Sequence, residues 1–240
     1  MGARRPISAS ETLDAARSRD RSHLTEPEGK ALLAAVGIAV PPGGMAGCAA
    51  DAEKLARELG PPVAVKIVSP DLTHKSEIGG IVCPVLSAEA SGKAYAAVVE
   101  QTSRHRPDAA IEGVLVEKYQ PGGIECILGL RNDERFGPVV MFGLGGVFVE
   151  VLHDVTFRLA PLRDRDVAAL LGESRGARCL DGFRGQPAVD KSALGAAIRA
   201  CAEIAFLPGV GEHIRELEIN PLQASARGAV ALDAVVTLRP

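Results

Sequence analysis

The sequence predicts a mixed α and β fold (α/β in the broad sense, α+β in detail), in which helices alternate with short strands rather than forming a regular βαβ array. Three observations predict it. Runs of β-branched apolar residues bounded by proline, glycine or serine recur along the chain and are typical of strands. Segments with helical spacing of apolar residues and N-terminal capping signals lie between them. In the middle of the chain, three strand-like segments follow one another too closely for parallel crossovers.

The bulk composition is that of an ordinary globular protein. The chain has 240 residues, of which 47% are hydrophobic and 24% charged, with a formal net charge of -3. This length suffices for one large domain or two lobes with their own cores. The slight negative charge argues against a nucleic-acid-binding surface. No apolar run approaches the roughly 20 residues of a membrane span, and the N-terminus does not resemble a secretory signal.

The cysteines favour a reducing compartment. There are five, an odd number, and they are widely spaced with no CxxC pair. This pattern gives no support to a disulfide framework or a metal cluster. We therefore expect a cytoplasmic protein that has neither nucleic acid nor a membrane among its partners.

The N-terminal region combines a polar segment with a clearly marked helix. Residues 1–22 form a polar extension with one weak helical stretch, a candidate docking helix. In the following "LTEPEGKALLAAVGIAVPP", Thr25 and Glu28 have the spacing of a capping box and Pro27 occupies the first turn. Gly37 marks the end of this helix.

The remaining elements are predicted from the same signals. Of the three closely spaced strands, the first two are separated by Pro121-Gly122-Gly123, which predicts a hairpin turn. Asn132 begins a second turn, between the second and third of these strands. The predicted helices are 50–60, 88–104, 164–171 and 191–206, and the predicted strands are 61–68, 79–86, 113–120, 124–130, 138–146, 214–219 and 229–233.

Two common phosphate-binding motifs are absent. The chain contains no GxxxxGK[ST], and "GLGGVF" at Gly143 fails the GxGxxG pattern because Phe148 stands where the third glycine belongs. A nucleotide site in this chain must therefore have another design.

The stretch "VAVKIVSPDLTHKSEIGG" contains the first candidate for phosphate binding. Lys66 shares a strand face with Ala64 and Val68, so its ammonium projects from an apolar surface and needs an anion or solvent nearby. A partly exposed edge strand explains Lys66 equally well. The segment that follows favours phosphate, because it adds hydroxyls, a second lysine and a Gly-Gly pair whose amides can approach an anion.

His74 in the same stretch has two interpretations. A histidine on a loop is most often a solvated side chain. The functional interpretation is a nucleophile, because a neutral imidazole, with a reference pKa of about 6.5, can attack a phosphoryl group at physiological pH. The residues alone leave both interpretations open.

A second cluster lies near the C-terminus. In "ELEINPLQ", Glu216, Glu218 and Asn220 occupy alternate positions and therefore share one strand face. Asp233 interrupts a later apolar run, and adjacent strands would bring it beside Asn220. These hard oxygen ligands suit magnesium bound to ATP phosphates. An acidic surface face is the alternative interpretation.

Polar residues also flank the predicted hairpin turn. Glu125 is a candidate for hydrogen bonding to a ribose diol, and the backbone at 116–120 is a candidate for contact with an adenine edge. Glu117 and Gln120 complete this group.

Taken together, Lys66, "SPDLTHKSEIGG", "GIECILGLRNDERFGPVVMFGLGGVFVEVLHDVTFRLAPL" and "ELEINPL" resemble the ATP-grasp β subunit of ADP-forming acetyl-CoA synthetases (acetate–CoA ligases). These enzymes belong to the nucleoside-diphosphate-forming acyl-CoA synthetase superfamily, which includes succinyl-CoA synthetase. The likeness covers residues 24–240. It implies an ATP-grasp fold in which two α+β lobes clasp ATP, namely an N-terminal lobe at 23–117 with the phosphohistidine loop and a C-terminal lobe at 118–240 with the magnesium site.

The resemblance also implies roles for individual residues. Lys66 would contact the phosphates of ATP or ADP, and Gly79, Gly80 and Ile81 would form a small loop over these phosphates. Contacts with adenine and ribose would come from Glu117, Gln120 and Glu125.

The implied roles in phosphoryl transfer and metal binding fall on five further residues. Asn220 and Asp233 match the Mg²⁺ ligands, and Glu218 matches the carboxylate that steadies a phosphohistidine. His74 matches the second phosphorylated histidine of the acetyl-CoA branch, and together with Lys66 and Glu218 it would form the catalytic set. Arg158 is a candidate extra phosphate clamp.

The implied reaction is acyl-CoA + ADP + phosphate ⇌ carboxylate + CoA + ATP, a ligase reaction that needs an α subunit carrying the CoA-binding and first phosphohistidine domains. CoA and a small carboxylate would bind through that partner, in an α2β2 heterotetramer. His153 and Arg135 depart from the family pattern and put substrate or partner preference in question. Two alternatives remain: another ATP-grasp ligase acting through an acyl-phosphate, which has no need of His74, and a non-catalytic nucleotide-binding subunit.

Overall fold

A computed structural model describes residues 9–73, 75–146, 154–182, 185 and 187–240 of the chain. It divides the chain into two compact units, a large unit of residues Met1–Val40 and Gly122–Pro240 and a small unit of residues Pro41–Pro121. Among the described residues, no helix is long and apolar enough to cross a membrane.

The helices and strands follow the order expected for a mixed α and β protein. The helices are α1 (Ala9–Arg17), α2 (Glu26–Ala35), α3 (Ala49–Leu59), α4 (Ala88–His105), α5 (Asp164–Gly172) and α6 (Lys191–Ile204). The strands are β1 (His23–Leu24), β2 (Gly43–Ala46), β3 (Val63–Val68), β4 (Ile81–Val85), β5 (Gly113–Lys118), β6 (Ile124–Asp133), β7 (Gly137–Leu144), β8 (Val155–Leu159), β9 (Ile214–Ser225), β10 (Gly228–Ala231) and β11 (Val235–Leu238). Each helix predicted from the sequence is present to within a few residues.

The small unit is an antiparallel sheet with a helical layer on one face. Its strand order is β2-β5-β3-β4. Alternate residues of β3, namely Val63, Val65 and Ile67, are buried in one core cluster with residues of α3 and α4. Because strand side chains alternate between faces, the other residues of β3 lie on the face away from these helices.

The large unit is built on a larger antiparallel sheet. Its strands run in the order β1-β11-β9-β6-β7-β8, and β10 pairs with β9 beside β11. Leu128, Val140 and Leu217 belong to one buried core cluster with residues of α1, α2, α5 and α6. The opposite face of this sheet, called here the non-core face, therefore carries the alternate residues of the same strands.

The capping box at the start of α2 is present as predicted. Glu28 reaches back to Thr25, whose backbone N–H and hydroxyl donate to Glu28 Oε2 at 2.8 and 2.9 Å. The other carboxylate oxygen of Glu28 accepts a hydrogen bond from Arg21 at 2.7 Å. Glu28 thus links the start of the helix to the extension before it.

The predicted hairpin between β5 and β6 is wrong. β5 pairs with β2 and β3 in the small unit, whereas β6 pairs with β7 and β9 in the large unit. Each strand already has neighbours on both sides, so the two strands do not pair with each other. Gly122 and Gly123, both with positive φ, connect the two units instead of closing a hairpin. The antiparallel pairing predicted for β6 and β7 is confirmed.

The N-terminal segment packs with the C-terminal part of the chain. β1 pairs antiparallel with β11, and Leu13 of α1 is completely buried in the core of the large unit. Residues 23–40 were expected in the first lobe, but by compactness they group with residues 122–240. The physical reason is that both β1 and the apolar face of α2 find their partners there.

Candidate functional site

Lys66 forms a buried ion pair on the small sheet. Its Nζ lies 2.6 Å from Oε1 of Glu117, and the two side chains are 7% and 3% exposed. Glu117 pairs with Ala64 in the β3–β5 register, so the two charged residues are diagonal neighbours on the face away from α3 and α4. The alternative of an exposed edge strand is wrong, because β3 lies between β5 and β4.

The segment after β3 is tied to the small unit on both sides of His74. Before it, the Asp71 carboxylate accepts a hydrogen bond from the Ala110 N–H at 2.7 Å. After it, the Gly80 carbonyl accepts one from the Ile67 N–H at 2.8 Å. His74 itself, the candidate nucleophile, lies outside the described residues. The chain therefore fixes both flanks of the candidate phosphohistidine segment.

The two glycines of this segment close the loop on itself. The Gly79 N–H donates to the Ser76 carbonyl at 3.3 Å, and the Gly80 N–H donates to the Lys75 carbonyl at 2.8 Å. A Cβ on Gly80 would lie 2.7 Å from Ile67 Cγ2, so only glycine fits there. Both amides are thus engaged within the loop, and phosphate binding by Gly79, Gly80 and the following Ile81 stays a prediction.

The large sheet places the candidate carboxylate on its non-core face. Glu218 of β9, Gly129 of β6, Met141 of β7 and Phe157 of β8 stand opposite one another in consecutive strand pairs. Residues opposite each other in an antiparallel pair share a face. Glu218 is therefore directed away from the core.

Asn220 lies at an irregularity next to Glu218. The β6–β9 register gains one residue between Leu128 and Cys126 of β6, so Asn220 and Pro221 together oppose a single residue of β6. Such a bulge changes the direction in which a side chain points. The Asn220 side-chain amide donates to Glu218 Oε1 at 3.2 Å, which leaves its carbonyl oxygen available as an acceptor or metal ligand.

Asp233 lies opposite Asn220 on the other side of β9. Ala231 pairs with Leu222 and Val235 pairs with Glu218, and the register between these pairs places Asp233 opposite Asn220. Asp233 was predicted to lie in a strand, but it lies between β10 and β11. Its Oδ1 accepts the Ala234 N–H at 2.8 Å. The two residues thus lie opposite each other because β10 and β11 continue one register along β9, although Asp233 itself lies outside both strands.

The ligand types at this position fit magnesium rather than a softer metal. Within the described ranges, no cluster of three or more His, Cys, Asp and Glu side chains is arranged to hold a metal ion. Mg²⁺ commonly takes one or two protein oxygens and keeps its other positions for phosphate and water. An amide oxygen of Asn220 and the carboxylate of Asp233 form a sparse set of this kind.

The residues expected to contact adenine and ribose are divided between the units. Glu117 ends in the ion pair with Lys66, and Gln120 follows β5 in the small unit. Glu125 belongs to the large unit, where its carbonyl accepts the Gly145 N–H at 2.6 Å. Glu125 and Glu218 lie on the same face of the large sheet, because both alternate with core residues.

Arg158 does not share a sheet face with Glu218. In the strand pairs it stands opposite Val140, which is buried in the core, so it lies on the face opposite to that of Glu218. Its guanidinium is 2.6 Å from both carboxylate oxygens of Glu173. Arg158 therefore holds the end of α5, and the suggested phosphate clamp stays a prediction that this position does not favour.

A cavity beside Glu218 was not predicted from the sequence. It has a volume of about 400 Å³ and is lined on one side by Val139, Met141 and Phe157 and on the other by Arg131 and Glu216. The sequence signal for this cavity is Phe157, an apolar residue of β8. In the structure its side chain is 54% exposed, and it alternates with residues of the core face. Finding it required the strand register, which the sequence does not give.

Comparison with protein families and known proteins shows what the chain is similar to. Residues 15–238 match the family model of the ATP-grasp domain. The chain is 38% identical over 235 residues to the β subunit of acetate–CoA ligase (ADP-forming) I of Pyrococcus furiosus, covering 98% of this chain and 99% of the relative. It is 37% identical to acetate–CoA ligase (ADP-forming) I of Archaeoglobus fulgidus, of which it spans only 30%.

Solved structures show the same relationship. Acetyl-coenzyme A synthetase 1 of Ca. Korarchaeum cryptofilum, in complex with coenzyme A and Ca-AMPCP, superposes with a TM-score of 0.93 at 40% identity, covering 97% of this chain and 100% of that chain. Another structure of that enzyme contains Mg-AMPPCP, with its phosphohistidine segment pointing towards the nucleotide binding site, and has a TM-score of 0.82 at 37% identity. The chain therefore belongs to the ATP-grasp family, in the branch of the β subunits of ADP-forming acetate–CoA ligases.

Proposed function

We propose that this chain is the nucleotide-binding subunit of an ADP-forming acyl-CoA synthetase, a ligase that interconverts acyl-CoA, ADP and phosphate with carboxylate, CoA and ATP. One observation carries the proposal. Neighbouring positions on and beside β9 are occupied by Glu218, Asn220 and Asp233, in a chain of this family. The chain covers 99% of the length of the Pyrococcus furiosus β subunit, whose name gives this activity. The other candidate residues refine this function.

In the proposed site, Lys66 contacts the nucleotide phosphates. Its ammonium comes from a central strand and is already paired with Glu117 at 2.6 Å, so its position is fixed before nucleotide binds. Preorganised positive charge of this kind stabilises phosphoryl transfer because no reorganisation is required during the reaction. Glu125 and Gln120 are the proposed contacts to ribose and adenine, and Gly79, Gly80 and Ile81 form the loop nearest to Lys66.

Asn220 and Asp233 are the proposed Mg²⁺ ligands. When bound, Mg²⁺ would neutralise charge on the phosphates of ATP. The hydrogen bond from the Asn220 amide nitrogen to Glu218 favours this role, because it turns the amide oxygen away from Glu218. Glu218 also remains available to steady an imidazole that carries a phosphoryl group.

His74 is the proposed phosphoryl acceptor. One ring nitrogen would form a bond to the γ-phosphorus as the bond from that phosphorus to the bridging oxygen breaks, with ADP as the leaving group. The support for this step is the resemblance in "THKSEIGG" and the tethering of both flanks of the segment.

The chain is proposed to need an α subunit. The Pyrococcus furiosus relative is a β subunit, whereas the Archaeoglobus fulgidus relative is more than three times the length that this chain spans. A partner would therefore supply CoA binding, the carboxylate site and a further phosphohistidine, and we propose an α2β2 assembly. The five cysteines are all free, which supports a reducing compartment such as the cytoplasm.

The direct test is to purify the chain with the α subunit of the same organism and to follow ATP formation from acetyl-CoA, ADP and phosphate. We expect turnover only when both subunits and Mg²⁺ are present. ATP formation that persists in an Asp233→Ala, Asn220→Ala double variant would contradict the proposed metal ligands. The absence of any turnover with acetyl-CoA and other short acyl-CoA substrates would contradict the synthetase function and favour a non-catalytic nucleotide-binding subunit.

A second candidate function is an ATP-grasp ligase that forms an acyl-phosphate directly. It would use Lys66, Asn220 and Asp233 in the same way but would not need His74. Phosphorylated protein distinguishes the two, because only the synthetase is expected to carry acid-labile, base-stable phosphate on His74.

A further inference from the structure

The ion pair between Lys66 and Glu117 assigns Glu117 a different task from the one that the family resemblance implies. The resemblance gives Glu117 a contact with adenine or ribose. In the structure its carboxylate lies 2.6 Å from the Lys66 ammonium, and only 3% of its side chain is exposed. A buried carboxylate this close to an ammonium has an ion pair with that cation as its main interaction.

The backbone around Glu117 holds the pair in one geometry. Glu117 is paired with Gly43 of β2 on one side and with Ala64 of β3 on the other. A Cβ on Gly43 would lie 2.8 Å from the Glu117 Cβ and 2.7 Å from the Val116 carbonyl oxygen, so the glycine permits this close approach. Because both charged residues come from adjacent central strands, the ladder fixes the backbone positions from which the two side chains meet.

We infer that Glu117 is a positioning residue for Lys66: it keeps the Lys66 ammonium charged and aimed so that it can meet the nucleotide phosphates. The physical basis is that burial disfavours the charged form of a lysine unless an anion compensates it. A long, flexible side chain also loses many rotamers when it is fixed, and an ion pair formed before binding removes this cost from the binding step. This inference rests on the proposed function and deepens it.

Two alternative roles for Glu117 lead to different results. If Glu117 contacts adenine or ribose directly, its replacement weakens adenosine and ADP alike. If the pair serves only to stabilise the sheet, replacement lowers stability but leaves the affinity of the folded protein unchanged. Only positioning of Lys66 predicts an effect that depends both on the phosphates and on Lys66.

The test is a double-mutant cycle on the full-length chain, with ADP and Mg²⁺ titrated by calorimetry into the wild type, Glu117→Gln, Lys66→Met and the double variant. We expect Glu117→Gln to weaken ADP binding at least about tenfold, the size expected for a charge-assisted contact. In the Lys66→Met background the same change should alter affinity by less than about twofold, because coupled residues are non-additive.

Adenosine provides the second readout. Measured by competition against a fluorescent adenine nucleotide, adenosine affinity should be unchanged in Glu117→Gln, since adenosine lacks the phosphates that Lys66 contacts. The matched control is Glu100→Gln, which removes the same charge from an exposed Glu–Arg pair on α4 and should leave both affinities unchanged.

Folding is checked by circular dichroism before each titration. Should Glu117→Gln fail to fold, Glu117→Asp retains the charge but shortens the side chain, and it is expected to weaken ADP and spare adenosine.

Three outcomes would overturn the inference while leaving nucleotide binding intact: adenosine weakened as much as ADP, equal effects of Glu117→Gln in both backgrounds, or unchanged ADP affinity in a folded variant. A wild-type chain that binds no ADP would instead overturn the proposed function, and this inference with it.

Discussion

The two sheets hold their polar groups in opposite ways. In the small unit, Lys66 and Glu117 are buried within a regular strand ladder and pair at 2.6 Å. In the large unit, Asn220 is exposed at a bulge of β9 and Asp233 lies between two strands. A buried cation needs an anion and a rigid frame, whereas metal ligands need open coordination positions. In this chain, a regular strand ladder therefore holds the buried charge, whereas irregular backbone presents the candidate metal ligands.

The largest effect is expected when the buried ion pair of Lys66 and Glu117 is broken. Lys66→Met removes the ammonium that lies 2.6 Å from the buried Glu117 carboxylate, and we expect a loss of about 3–5 kcal/mol in the free energy of unfolding. Urea denaturation followed by circular dichroism measures it. Addition of Glu117→Gln should recover most of this loss, because the double variant removes both charges of this pair. A Lys66→Met protein as stable as wild type would show that the pair is not buried as described.

The next effect concerns the exposed ligands. Asp233→Ala should weaken Mg²⁺-dependent ADP binding at least about tenfold, or about 1.4 kcal/mol. It should change the unfolding free energy much less than Lys66→Met does, because Asp233 is only partly buried. Calorimetry with ADP in the presence of Mg²⁺ or EDTA measures the effect. Equal losses of affinity in both conditions would remove Asp233 from the proposed metal site.

A smaller effect on the free energy of unfolding than that of Lys66→Met is expected at Glu28. Its carboxylate lies in the large unit and accepts hydrogen bonds from Arg21 and Thr25. Burial pushes the pKa of Glu28 up, but hydrogen bonds from Arg21 and Thr25 more than offset this and hold the pKa below its ordinary value of 4.5. Its stabilising contribution is therefore complete above pH 4.5 and is lost as the pH falls through the lowered pKa.

Replacement of Glu28 by Gln tests this pH dependence. The variant should unfold about 1–2 kcal/mol more easily at about pH 7. The difference should shrink in acid, as measured by denaturation at several pH values. A difference that stays constant from neutral pH down to about pH 3 would contradict the network.

The smallest effect is expected at Arg158. Its ion pair with Glu173 is partly exposed, with 28% and 54% of the side chains accessible, so Arg158→Gln should cost less than about 1 kcal/mol of stability. ADP affinity should stay within about twofold of wild type, since Arg158 lies on the face opposite to Glu218. A tenfold loss of ADP affinity in calorimetry would restore the role of phosphate clamp.

The sequence predicted what depends on local signals. The helix at Thr25 follows from its capping box, and the strand around Lys66 follows from its β-branched residues. It failed at the 121–123 turn, because local turn chemistry is the same whether the flanking strands pair or separate into two units. The proximity of Asn220 and Asp233 was expected from adjacent strands, but the bulge at Asn220 was not, because it is set by pairing with the distant strand β6.

The side of the sheet on which Arg158 lies shows the same limit. Phe157 and Arg158 are neighbours on β8 and so lie on opposite faces, but only the pairing of β8 with β7 shows which face belongs to the core. The cavity beside Glu218 was missed for this reason.

The most direct test of the central claim is the incubation of the chain, purified with its α subunit, with γ-³²P-labelled ATP and Mg²⁺, followed by mapping of the labelled peptide. The account predicts acid-labile, base-stable label on the peptide containing His74, absent from His74→Ala and strongly reduced in Lys66→Met. Label that is unchanged in His74→Ala, or whose stability to acid and base is that of an acyl-phosphate, would contradict it.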